Sequence, residues 1–155
     1  MSRNASAQRI PRVRARMNSG ALTGYLLRVL TAAALITDAV VHLKDARFYD
    51  ASTTALLSQG QLFRIQAGVA IVVAVAILAW PRRLVWAIAF LVAASVVGAV
   101  VLYTYVNVGS LAGLPDMYEP SWGPPGKALS AIVEGAGALF ALGGLAWSIK
   151  RGRRT

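Results

Sequence analysis

Four apolar stretches alternate with short polar segments along this chain: Ala21 to Leu43, Gln61 to Trp80, Leu84 to Val106 and Ala128 to Ile149. Each has the roughly 20 residues that a helix needs to cross a hydrocarbon core. The pattern predicts an all-α fold, a four-helix transmembrane bundle. The second stretch stops at Pro81-Arg82-Arg83, a tight turn. The third is followed by NVGSLAGLPDMYEPSWGPPGK, where Pro115, Pro120, Pro124, Pro125 and several glycines predict a long irregular connection. The expected role of that connection, from Val108 to Gly126, is to pack over the helix ends, with Met117, Tyr118 and Trp122 supplying apolar surface.

Composition sharpens this picture. Of the 155 residues, 57% are hydrophobic, and the mean hydropathy is +0.58. A soluble domain runs near about 45–50% apolar even with glycine counted. The net charge of +10 is gathered in patches beside the apolar stretches and does not interleave with aromatics, so it reads as membrane topology and not as nucleic-acid binding. The apolar run after the basic N-terminus is longer than the core of a signal peptide and holds Arg28 and Asp38, so an uncleaved first span is expected. Residues 1–20, with five arginines and no acid, are expected to form a disordered cytoplasmic tail, and residues 150–155 a second basic tail.

The charge pattern also orients the bundle. The N-terminal tail, Arg82-Arg83 and the Lys150–Arg154 cluster share one side, while Asp45, Asp50, Asp116 and Glu119 fall on the other. By the positive-inside rule both termini are cytoplasmic and the long loops external, in a multi-pass protein of the cell membrane. Trp80, Trp86 and Trp147 would then sit near the inner interface, and Tyr103, Tyr105, Tyr118 and Trp122 near the outer one.

Polar residues inside the spans carry the candidate chemistry, because an ionisable group in a membrane is expensive and mostly faces protein or water. Asp38 and His42, the single histidine, are one turn apart on one helix face. Asp38 lies ~8–9 Å inward from the outer end of the first helix, and Glu134 ~10 Å inward on the fourth. Ser130, Glu134, Gly137, Ala141 and Gly144 form a stripe of mostly small residues, which marks a helix interface and points Glu134 into the bundle. Gln61 and Arg64 share a face at the start of the second helix, and Tyr103 and Asn107 share one at the end of the third. Arg64 is expected near the two acids, either neutralising them in a buried ion pair or leaving at least one to exchange a proton or contact a ligand. Gln66, about 200° around its helix from Arg64, is expected to face away from that cluster. Arg28 is close enough to the cytoplasmic side to snorkel.

The candidate ligand-binding or proton-exchanging set is therefore Asp38, His42, Arg64, Glu134, Tyr103 and Asn107. An interfacial or structural role competes with this for every member. Asp38, His42 and Glu134 would suit a divalent metal, although a three-residue site assembled across separate helices does not establish one. The chain has no cysteine, so it has no thiolate site, and one histidine cannot supply both ligands of a bis-histidine haem. No nucleotide-binding, zinc-protease or serine-elbow motif is present, no cofactor is indicated and no catalytic group stands out.

Val41-His42-Leu43, then Gly60, Leu62-Phe63 and Gln66-Ala67, then LPDMYEPSW and Ala131-Ile132-Val133-Glu134, resemble small four-helix integral membrane proteins of actinobacterial type, a family with no assigned activity. The resemblance covers roughly residues 21–149. More remotely the chain is similar to DoxX-like four-helix proteins, and no activity carries across. The expected function is an outward-facing polar pocket for a small ligand, a proton or a metal, in a binding protein or an accessory subunit of a membrane complex. A small transporter working as an oligomer and a membrane-embedded enzyme acting on a lipid or quinone are the alternatives. The bilayer is the expected partner, with a homo-oligomer or larger complex as a further possibility.

Overall fold

A computed structural model describes residues 10–50, 56–110, 113–124 and 126–153, with side chains from residue 20 onward. It contains four helices: α1 (Ile10–Ala46), α2 (Gln59–Ala79), α3 (Arg83–Tyr105) and α4 (Lys127–Gly152), with a single 3₁₀ turn at Arg47–Tyr49 after α1. All four are long and apolar enough to cross a membrane. They run up and down, so the start of α1 and the end of α4 lie at one end of the bundle and the two long connections at the other. We call these the terminal end and the loop end. α1 packs on both α2 and α4, α3 packs on α4, and the α2–α3 seam is the least extensive.

The distribution of side chains is that of a bundle solvated by lipid. Its core is built from Ala39, Ala67, Ala70, Ala74, Ala89, Ala93 and Ala141 with Leu35, Ile77 and Trp86. Ile132 and Leu139, by contrast, stay 70% and 71% exposed. Small residues inside let the backbones approach closely, which is how helices associate where lipid tails are as apolar as leucine. The stripe on α4 follows this rule: Ser130, Glu134, Gly137, Ala141 and Gly144 are all buried.

Two departures from the sequence reading have plain causes. α1 begins at Ile10, inside the stretch expected to be a disordered tail; residues 1–9 lie outside the described residues. Extending an existing helix is cheap compared with nucleating one, and Pro11 falls in the first turn, where it does no harm. Trp86, in the first turn of α3, does not point outward as a belt aromatic does but is fully buried between the helices at the terminal end. The missing side chain of Gly144 makes room for it, since a Cβ there would overlap the Trp86 ring.

The connection from Val108 to Gly126, apart from residues 111, 112 and 125, which are outside the described set, is tied to the bundle by backbone bonds. Leu56 N–H donates to Gly113 O at 3.1 Å, and Glu119 N–H donates to Tyr103 O at 2.9 Å. The side chains doing the packing are only partly those expected. Pro115 is fully buried and Met117 half-buried, while Tyr118 and Trp122 remain exposed. Gly126 closes the connection at φ 89°, a left-handed backbone that glycine adopts without a Cβ clash.

Candidate functional site

The helix ends at the loop end are shaped by local rules. Ser58 and Gln61 form a reciprocal capping box at the start of α2, with Gln61 N–H donating to Ser58 Oγ at 3.1 Å and Ser58 N–H donating to Gln61 Oε1 at 2.7 Å. That use of the Gln61 side chain takes it out of any cluster in the bundle. One residue earlier, Gly60 brings α2 against the Ala46 carbonyl and Asp50, a space that a Cβ would fill. This close approach sets Phe63 edge-on to His42, with ring centroids 5.0 Å apart, and to Tyr49 at 5.3 Å.

Behind those rings lies a buried polar network joining three helices. His42 Nδ1 is 2.8 Å from Asp38 Oδ1 and 3.1 Å from the Asp38 carbonyl oxygen. Ser130 Oγ lies 3.2 Å from Asp38 Oδ1 and 2.8 Å from Glu134 Oε1. Gln66 Nε2 donates to Asp38 Oδ2 at 3.5 Å. Asp38, His42, Ser130 and Glu134 are all buried, and Glu134 Oε2 finds no hydrogen-bond partner among the described residues. Burying a carboxyl oxygen without a partner is costly, so such a group calls for an explanation.

Above the network opens a cavity of about 160 Å³ between all four helices and the long connection. His42 and Ser130 reach it from the network side, Phe63, Tyr49 and Tyr103 give it aromatic walls, and Asp45, Glu119 and Lys127 add charge. Lys127 is partly committed elsewhere: its ammonium bonds to the Glu119 carbonyl and, at 2.8 Å, to the Ser121 carbonyl. It also faces the Trp122 ring at 5.3 Å.

The predicted site residues divide. Asp38, His42 and Glu134 meet in one network, and Tyr103 lines the cavity next to it. Arg64 does not join them. Its guanidinium makes a two-pronged ion pair with Asp50 at 2.6 Å on the exposed surface, and that pairing holds the Asp50 carboxyl below its usual range. Asn107 is also outside, accepting the Gly109 N–H at 3.1 Å in a surface turn. Gln66 is the reverse correction, since it faces Asp38. A neutral amide is cheaper to bury than a guanidinium that has a surface carboxylate within reach.

No family model, curated protein or solved structure matches this chain. Its functional reading therefore rests on the geometry. Ser130 is the residue that sequence reasoning underused. Its place in the small-residue stripe was visible, but not that its hydroxyl would bridge two carboxyl groups.

Proposed function

We propose that this chain is a multi-pass protein of the cell membrane whose loop-end cavity faces outward and binds a small ligand, as a binding protein or accessory subunit of a membrane complex. The observation that carries this reading is the pairing of an apolar, aromatic-walled cavity with a convergent polar floor, the usual composition of a small-molecule site. Burial of Trp86 and Ile77 in the terminal half favours binding over passage. The resemblance to small actinobacterial four-helix proteins belongs to the same proposal. Of the residues that carry it, His42 and Phe63 line this pocket, and Glu134 belongs to the network beneath it.

Two measurements test the reading. Ala99 lines the cavity, so Ala99→Trp fills it. Native mass spectrometry of protein released from its own membranes should show a small-molecule adduct on the unaltered chain and none on Ala99→Trp. The same adduct on both would contradict a ligand in this cavity. For orientation, the natural absence of cysteine allows Ser121→Cys and Arg153→Cys to be compared in intact cells. An impermeant maleimide should label the first and spare the second, and the opposite result would turn the pocket toward the cytoplasm.

A further inference from the structure

The buried network leaves one of its carboxyl oxygens without a partner. Ser130 Oγ contacts both Asp38 and Glu134, yet a hydroxyl has one proton to donate. Arg64, the base that could have neutralised the pair, is bound to Asp50. Glu134 is 2% exposed and its Oε2 is unpartnered among the described residues. A metal ion held between these side chains would take up the unpartnered oxygen.

We propose that Asp38, His42 and Glu134 bind a divalent first-row transition-metal ion, with Zn²⁺ as the working probe. The inference rests on the reading of this cavity as a ligand site and names its inorganic part. One donor atom from each of the three residues already lies within 4.8 Å of the others. Metal–donor distances of about 2.0–2.2 Å ask tetrahedral donors to sit some 3.4 Å apart, so side-chain rotation of about an ångström closes the set. One imidazole with two carboxylates and no thiolate suits zinc, manganese or ferrous iron. Calcium and magnesium prefer oxygen alone, and cuprous ion prefers sulfur.

The surroundings complete the case. Ser130 and Gln66 contact the carboxylates from outside the donor set, the position from which hydrogen bonds orient metal ligands. Asp45 and Glu119 line the cavity above against the single ammonium of Lys127, a net acidic balance that favours entry of a cation. Three protein donors leave at least one coordination position, and a molecule in the cavity can supply it past His42 and Ser130.

The test uses the full chain in detergent, with any polyhistidine tag removed. Metal content is measured as purified, and then Zn²⁺ and Mg²⁺ are titrated separately after chelator stripping. One Zn²⁺ per chain is expected, with no response to Mg²⁺ at the same concentrations. Glu134→Gln and His42→Ala should each weaken Zn²⁺ binding more than 100-fold, and Ser130→Ala by about 10–100-fold as an outer-shell partner. Ser95→Ala, on the exposed face of α3, should bind as the unaltered chain does. Substoichiometric zinc on the unaltered chain, or unchanged binding in folded Glu134→Gln and His42→Ala, would overturn the assignment. Should both variants fail to fold, X-ray absorption of the zinc-loaded unaltered chain decides: one imidazole nitrogen among oxygens supports the site, and an all-oxygen shell refutes it. Loss of zinc binding with an adduct still abolished by Ala99→Trp removes the metal and keeps the pocket. Stoichiometric zinc with the adduct unaffected by Ala99→Trp does the reverse.

Discussion

Trp86→Ala is expected to remove about 3–5 kcal/mol of unfolding free energy, the range for deleting a large aromatic from a packed interior. Trp86 is fully buried at the terminal end, and its ring occupies the space that Gly144 leaves on α4. In a lipid-solvated bundle, water exclusion contributes little between helices, and the loss comes mainly from contacts that a cavity forfeits. The reciprocal change is informative too. Gly144→Ala inserts a Cβ against the ring and should cost about 1–3 kcal/mol by overpacking. Because both substitutions act on one contact, their effects should not add. Gly144→Ala in a Trp86→Ala background should cost much less than alone, and an additive double variant would show that the two residues do not touch. Denaturant unfolding in mixed micelles measures all three.

The second large effect separates the two buried acids. Asp38 accepts from Gln66 and lies within bonding distance of His42 and Ser130, whereas Glu134 has Ser130 as its partner at Oε1 and none at Oε2 among the described residues. Asp38→Ala should therefore destabilise strongly, on the order of 1–3 kcal/mol for each buried group left without a partner. His42 loses less, because it keeps the Asp38 carbonyl oxygen. Glu134→Gln keeps shape and a hydrogen-bonding oxygen, and it strands no buried base, since Arg64 is paired with Asp50. Its unfolding midpoint should stay close to that of the unaltered chain. Equal, large destabilisation by both changes would mean that Glu134 takes part in a structural ion pair that the geometry does not contain.

The contrast between the acids shows where sequence reasoning ended. The spans were legible because twenty apolar residues have few other uses, and the α4 stripe because small residues repeat at helical spacing. Asp38, His42 and Glu134 could be brought to one depth by counting residues along their helices. What could not be counted was the rotation of α2 about its own axis. Arg64 and Gln66 point in nearly opposite directions, so one rotation admits only one of them to the network. Charge complementarity favoured Arg64, but the exposed Asp50, just beyond α1, offered it a partner without desolvation. The burial of Trp86 was missed for a related reason. Its position near a helix end suggested an interface, and the evidence for burial lay in a glycine 58 residues away on another helix.

α1 and α4 face each other inside the bundle, which brings Asp38 and Glu134 into one buried centre. Disulfide formation in native membranes tests it most directly, in a chain with no cysteine of its own. A Cβ at Gly137 would lie 3.0 Å from that of Ala34, one turn below the carboxyl groups and close to the ~3.5–4.5 Å that a disulfide spans. Ala34→Cys with Gly137→Cys should cross-link rapidly and nearly completely within one chain, while Ile36→Cys with Leu139→Cys, both on exposed faces, should not. Intrachain cross-linking of the second pair and not the first would place the acids on separate faces of the bundle and contradict the account.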